Sequence, residues 1–413
     1  MSVTEGLAVR PVVTVGVDWA KDNHAVCVCD GDGVVVARLV VAHSKAGLGR
    51  LVELCGGFEV AGVGIERPDG PLVDVLLAAG VTVFVIAPSQ VKSLRRRYGS
   101  AGNKDDRFDA YVLADTVRTD RRRLTALAPD TTATVALRTL GRARKDLLRY
   151  RVAMANQLRA HLDTALPGLV GLFRDLDAPA SRAFIAEYPT QEAVDRLSIA
   201  DLAVWLKAHH SQRCDPVKLH RHLSDAPPGA VGAHGRALAG ITRAYLSMLN
   251  AACEQITVLE QQISDALDSH PDRDVFTSLP RAGTVRAARL LAEIGDARGR
   301  YPTPASLAGL AGVTPSTRQS GNVRVVAFRW AVDKQLRDAV CDFAADSRHA
   351  NPWAADLYNK ARARGHRHPH AVRILARAWL DVIWKCWTTH TPYQPDRHRA
   401  LQTLLNQDPQ PTG

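Results

Sequence analysis

Two acidic residues close apolar runs near the N-terminus: Asp18 ends VVTVGVD (12–18) and Glu66 ends EVAGVGIE (59–66). Three more, Asp105, Asp106 and Asp109, follow within GNKDDRFDA (102–110). Apolar runs of this length read as buried strands, and neighbouring strands would deliver both carboxylates to one edge of a sheet. If Asp106 opens a helix, Asp109 lies one turn on along the same face. Carboxylates gathered in this way repel one another unless a cation neutralises them, and oxygen-only ligation suits Mg2+ or Mn2+. Two such ions can clamp a phosphate and stabilise the oxygens that enter and leave. Taken singly, each acid reads more readily as a cap or a solvated surface group. The set is more specific, because each member sits at the boundary of an apolar element.

The elements that would position these acids come in a telling order. Strands are expected at Val12–Asp18, His24–Asp30 and Val34–Val41, with a turn at Gly31–Gly33, giving an antiparallel meander. A helical stretch, a strand at Glu59–Glu66 and a strand at Val81–Ile86 follow. Three meandering strands and then alternating helices and strands are the order of a ribonuclease-H-like α/β fold, expected over residues 1–130. Residues 131–268 turn helical. Leu140, Leu147, Met154, Leu158, Leu162 and Ala165 form one stripe, and Tyr245, Leu249, Ala252, Ile256, Leu259, Ile263 and Ala266 form another. The second steps by four and three in alternation, as a coiled-coil seam does. An antiparallel pair within the chain and a dimer interface are both compatible with it. The His- and Pro-rich insert at 167–235 matches no known pattern. Residues 269–392 are expected to be mostly helical, with helices at Lys334–Ala345 and Ala371–Trp387. Phe276–Gly283 and the helical run to Ile294 suggest a hairpin of helices whose backbone amides could hold a phosphate. The Pro-rich residues 393–413 read as a disordered tail. The fold class is therefore α/β followed by all-α.

Over 413 residues the formal net charge is +11, and such a basic excess favours an anionic partner, a nucleic acid or an acidic membrane surface. Part of it is clustered in LRRRY (94–98) and RRR (121–123), runs that read equally as a solvated face. No segment has the apolar length of a membrane span and the N-terminus lacks a signal-peptide core, so a cytoplasmic protein is expected. The seven cysteines include no CxxC pair and read as reduced thiols. His209, His210, Cys214, His220 and His222 fit no common zinc spacing. His366, His368 and His370 read as a polar helix start, and Trp19 as a packing residue.

The segments VGVDWAKDNH (15–24), GIERPDG (64–70) and KDDRFDAYVLAD (104–115) resemble the DEDD transposases of insertion sequences. That family includes the bridge-RNA-guided recombinases and the pilin-gene DNA invertases. Its last acidic motif, Lys-x-Asp-x-x-Asp-Ala, selects Asp106 and Asp109 here. Asp105 stands where the family usually has a hydroxyl residue, and either Asp105 or Asp106 is open as the ligand. A second stretch, LAGLAGVTPSTRQSGNVR (307–324), is similar to the family's serine-containing signature, and DLYNKARARG (356–365) also looks familial.

The resemblance implies a RuvC-like N-terminal domain with Asp18, Glu66, Asp106 and Asp109 around Mg2+ or Mn2+. It implies that Ser320, the serine before glycine, is the nucleophile and that Ser316 is not. The reaction would be DNA strand transfer through a phosphoserine link, with Arg318 and Arg324 as candidate phosphate contacts. It further implies a guide RNA encoded by the element, a bacterial, nucleoid-associated protein, and a homodimer assembling to a tetramer in which serine and acids meet across subunits. Three other readings make different demands. A hydrolytic RuvC-like junction nuclease would not need Ser320. An actin-like or sugar-kinase-like ATPase would need a later Gly-rich motif that the sequence lacks. A non-enzymatic nucleic-acid binder would tolerate Asp18→Asn.

Overall fold

The structure, a computed structural model, describes residues 10–98, 105–209, 214–320, 323–330 and 332–407, without the side chains of 318, 320, 323 and 324. It divides into two compact units, residues 1–130 with 297–302 and residues 131–296 with 303–413.

The first unit is built on β1 (Val12–Asp18), β2 (Asn23–Cys29), β3 (Val35–Ala42), β4 (Glu59–Ile65) and β5 (Val83–Val85). They form one sheet in the order β3-β2-β1-β4-β5. The β1–β2 and β2–β3 pairs are antiparallel, whereas β1–β4 and β4–β5 are parallel. The helices are α1 (Lys45–Gly56), α2 (Pro71–Ala78), α3 (Pro88–Arg95) and α4 (Asp106–Asp120). Strand β1 is apolar at almost every position because both of its faces are covered. Val13, Val15 and Val17 pack with Leu48, Leu51, Leu72 and Leu76 of α1 and α2. The opposite face is taken by α4. Strand β3, at the sheet edge, alternates half-buried and exposed positions, with Val41 alone of its residues fully buried, as a strand with one wet face should.

Two glycines set how closely α4 lies on the sheet. Gly16 and Gly64 are register partners in the parallel β1–β4 pair. A methyl group on Gly16 would run into the Ala110 carbonyl oxygen and the Ala114 nitrogen, and one on Gly64 would lie 2.8 Å from the Leu113 carbonyl oxygen. The sheet therefore meets the backbone of α4 with no side chain in between.

The second unit contains two long helices, α5 (Thr132–Ala165) and α10 (Gly232–Asp268), with α6 (Pro179–Glu187), α7 (Gln191–Val194), α8 (Ile199–Ala208) and α9 (Pro216–Asp225) between them. The long pair runs antiparallel within the chain. Thr134 Oγ1 meets His270 Nε2 at 2.9 Å just past one end of α10, Arg144 meets Glu260 at 2.5 Å, and His161 Nε2 meets Thr242 Oγ1 at 2.9 Å near the other. The insert helices surround Phe184, Leu202 and Trp205, which join Leu158, Leu162 and Leu249 of the long pair in one core.

The rest of this unit holds α11 (Arg273–Thr277), α12 (Gly283–Ile294), α13 (Pro304–Leu310), β6 (Ser316–Ser320), β7 (Val323–Ala327), α14 (Lys334–Ser347), α15 (Pro352–Ala363), α16 (His368–Thr389) and α17 (Arg399–Gln407). Trp379 and Trp387 are fully buried, and each indole N–H has an acceptor: Ser347 Oγ and the Gly295 carbonyl oxygen, both at 2.8 Å. Between α11 and α12, Arg281 adopts a left-handed φ of 57° and its guanidinium pairs with Asp346 at 2.9 Å. Where composition suggested a wholly disordered tail, α17 forms and buries Leu401. A short amphipathic stretch is easily masked by flanking prolines. Among the described residues no helix is long and apolar enough to cross a membrane.

Candidate catalytic site

The parallel register pairs Val17 with Ile65, so Asp18, the last residue of β1, and Glu66, the residue after β4, end neighbouring strands at the same sheet edge. Side chains alternate along a strand. Gly16 and Gly64 face α4, so positions 18 and 66 face the same way. Moving along the parallel β1–β4 pair toward its C-terminal ends moves toward the N-terminus of α4, because Gly62 meets Val117 of that helix whereas Gly64, two residues on, lies over Leu113. Two strand residues advance about 6.6 Å and four helix residues about 6 Å. Asp18 and Glu66 therefore project toward the first turn of α4, which carries Asp106 and Asp109.

The three acids of that turn differ in environment. Asp105 caps α4, its carboxylate accepting from the Arg107 N–H at 3.1 Å, and is exposed. Asp106 is exposed in the first turn. Asp109 is only 2% exposed and takes both arms of the Arg95 guanidinium. Arg95 ends α3 and belongs to the basic run LRRRY. Tyr98, in the same run, donates its hydroxyl to the buried Asp115, which also pairs with Arg118 at 2.6 Å. Burial, and the bond to Asp115, push the Tyr98 phenol well above its usual range. Among the described residues no three His, Cys, Asp or Glu side chains form a group that could hold a metal ion. The backbone thus directs Asp18 and Glu66 toward the first turn of α4, while the Asp109 carboxylate is turned to a guanidinium. Arg95, Tyr98 and Arg118 are what sequence reasoning missed: the run was legible as charge, but its carboxylate partners lie 14 and 17 residues away with no shared period.

Beside Asp18 the chain turns through Trp19 and Ala20. The Ala20 N–H donates to His24 Nδ1 at 3.3 Å, and His24 Nε2 lies 2.9 Å from His43 Nδ1. His24 therefore carries its proton on Nε2 and donates it to His43. Arg67, next to Glu66, stacks over the Trp19 ring at 4.4 Å. The loops after both acids are thus tied to fixed partners. Burial, and then the proximity of His43, lower the His24 pKa from 6.5. Burial likewise lowers His370 and His398. The folded protein then refuses protons that the unfolded chain accepts, so stability is full above about pH 6.5 and falls as the pH drops from there toward the folded values. Thermal unfolding is expected to show a midpoint lower near pH 5.5 than near pH 7.5. In His24→Gln part of that slope should vanish; an unchanged slope would exclude His24 as a contributor.

In the second unit, Ser320 is the last residue of β6 and pairs with Val323 of β7, whereas Ser316 pairs with Ala327 at the other end of the hairpin. The side chains of Ser320, Arg318 and Arg324 lie outside the described set, as does His210. Of the remaining residues weighed for zinc, His222 Nε2 sits 3.1 Å from the Val170 carbonyl oxygen and Cys214 packs on the insert core.

Comparison with known proteins places the chain in a family. A family model for the DEDD transposases of IS110 matches residues 15–167, and one for transposases of the IS116/IS110/IS902 family matches residues 273–359. The mini-circle protein of IS117 from Streptomyces coelicolor, named as its putative transposase, is 30% identical over 406 residues, 94% of this chain and 97% of the relative. The 42 kDa protein of insertion element IS900 from Mycobacterium paratuberculosis is 29% identical over 401 residues, covering 93% and 97%. The 44.8 kDa protein of IS116 from Streptomyces clavuligerus is 27% identical over 376 residues, covering 90% and 94%. With one relative matched at this identity over nearly its whole length, and both halves of the chain matched in order, the chain belongs to the IS110/IS116/IS902 family of transposases.

Proposed function

We propose that this transposase cuts and rejoins DNA strands through a covalent link to Ser320, with Asp18, Glu66, Asp106 and Asp109 as the acidic centre. The observation that carries the reading is the β1–β4 register. It brings Asp18, the last residue of β1, and Glu66, the residue after β4, to neighbouring strand ends on the face covered by α4, whose first turn supplies the other two acids. The sheet order, three antiparallel strands followed by two parallel ones, supports a RuvC-like domain over residues 1–130. Residues 131–268 would then be the helical connector with its insert, and 269–392 the serine domain.

The donor set fits a hard divalent cation. It offers carboxylate oxygens only, and Asp109, buried as it is, already requires a positive partner and takes Arg95. Asp18, Glu66, Asp106 and Asp109 would hold Mg2+ or Mn2+, which when bound supplies charge neutralisation at the phosphate oxygens. Asp105 is the less suited of the adjacent pair, because it spends an oxygen on the helix cap. Ser320 Oγ attacks phosphorus, its bond forms as the bond to the sugar oxygen breaks, and the proton leaves for a base. Arg318 and Arg324 hold the non-bridging oxygens. The phosphoserine ester keeps the energy of the phosphodiester, so a DNA hydroxyl can rejoin without ATP. A guide RNA from the element would choose the DNA sites, with basic surfaces on its backbone. Dimers pairing into a tetramer would bring serine and acids together, in a bacterial cytoplasm close to the nucleoid.

The test is to incubate the purified protein, with its co-purifying RNA and Mg2+, with DNA carrying the element's ends, and to run denaturing gels. Protein that stays attached to DNA supports the proposal. Cleavage with no attached protein would replace it by hydrolysis, in which water takes the place of Ser320.

A further inference from the structure

In the second unit a groove of about 630 Å3 lies between α14, the start of α16 and the chain leaving β7. Lys145, Lys334, Arg337, Arg373, His368 and Phe328 line it. Its two carboxylates are already engaged: Asp338 by Lys145 at 2.5 Å and by Arg289, and Asp342 by Arg286 at 3.0 Å. Among the described residues no carboxylate pairs with Lys334, Arg337 or Arg373. Arg337 and Arg373 instead share the Phe328 ring, their guanidinium carbons 5.0 and 4.9 Å from its centroid. Two like charges held on one ring call for an anion. Arg337 Nη1 and Arg329 Nε are buried donors with no hydrogen-bond partner, and native proteins rarely leave such donors unmet.

Next to this charge stands an aromatic platform. Trp330 is 79% exposed and meets Phe328 edge-on, ring centroids 4.9 Å apart. Unpaired phosphate-seeking charge beside an exposed indole is the pairing that binds single-stranded nucleic acid, with arginine on the backbone and a base on the ring. Phe328 follows Ala327, the register partner of Ser316. Ser320 is four residues further along the hairpin, roughly 13 Å at strand spacing.

We propose that this groove holds the phosphodiester backbone of an unpaired nucleic-acid strand, with Arg337 and Arg373 on phosphate and a base stacked on Trp330. The strand would be gripped a few nucleotides from the phosphate offered to Ser320. The proposal rests on the reading of the chain as a DNA-joining enzyme, and names a site for it.

The experiment measures binding of the purified full chain to a short fluorescent single strand, as DNA and as RNA of the same sequence, across a range of salt. Arg337→Gln combined with Arg373→Gln is expected to weaken binding at least about tenfold. It should also shallow the log–log salt slope by about 1.4, or about 0.7 for each phosphate no longer neutralised. Trp330→Ala should weaken binding about tenfold without changing the slope. Lysine at both arginine positions should restore the slope, which a misfolded variant could not do. An equal loss of charge on the insert, Arg174→Gln with Lys218→Gln, should change affinity less than twofold. A larger effect on DNA assigns the groove to the substrate strand, and a larger effect on RNA assigns it to the guide. If the double arginine variant binds like wild type, or the insert control loses as much, the groove proposal fails while the DNA-joining reading stands. If wild type binds neither strand, the DNA-joining reading fails as well.

Discussion

Exchange of Ser320 for alanine is expected to abolish the protein–DNA adduct and to lower strand exchange by on the order of 10^4-fold or more. The size follows from what the hydroxyl contributes. In the proposed reaction its oxygen is the atom to which phosphorus is transferred, so removing it leaves only binding and electrostatic help for an attack by water. Ser316→Ala, at the other end of β6 and paired with Ala327, should leave the adduct in place and serves as the matched control. Asp18→Asn should also prevent the adduct, but for a different reason: the serine remains and the acidic centre is lost. The two variants together would separate a nucleophile from an electrostatic site. Cleavage that persists at the wild-type rate in Ser320→Ala would remove the serine from the chemistry.

Gly16→Val is expected to prevent stable folding of the N-terminal unit. The added Cβ meets the Ala110 carbonyl oxygen and the Ala114 nitrogen, and lies 2.9 Å from the Leu113 Cβ. These are mostly backbone atoms of α4 and cannot step aside as a flexible side chain would. Overpacking normally costs about 1–3 kcal/mol, and a rigid helix backbone puts this site above that range. Any relief must come from lifting α4, which would carry Asp106 and Asp109 away from the strand ends. Gly49→Ala is the contrast: it lies within α1, and an added methyl group meets nothing within 4 Å. That change should stabilise the protein by about 0.4–1 kcal/mol. Urea unfolding of both variants would decide the matter, and a Gly16→Val midpoint close to wild type would show that α4 does not rest on the sheet backbone.

The parts of this molecule that sequence made legible are those governed by short-range rules. VVTVGVD and EVAGVGIE were readable as β1 and β4 because strands covered on both faces are apolar throughout. The meander was readable from the turn at Gly31–Gly33. Strand β5 is shorter than the expected Val81–Ile86, spanning only Val83–Val85, because hydrophobicity outlasts the hydrogen-bonded ladder at a sheet edge. The insert was opaque for another reason. Its core residues Phe184, Leu202, Trp205 and Leu219 come from three short helices and pack together against Leu158 and Leu249 of the long pair. No single helix carries enough of a stripe to announce the cluster. The Arg95–Asp109 pair and the Phe328 groove were invisible because each is an encounter of side chains distant in sequence. The same arginines read as surface charge until their partners are placed.

The antiparallel pair α5 and α10 also works as a measure of length. At 34 and 37 residues they run about 51 and 56 Å, the rise of about fifteen base pairs of duplex. The insert core sits on Leu158 and Leu162 of one helix and on Leu246 and Leu249 of the other, toward the end remote from Thr132 and Asp268. Seven residues added to each helix would move the insert by about 10 Å, or three base pairs, without altering what either end is made of. Spacing is therefore a quantity that evolution or design can tune in this chain independently of chemistry.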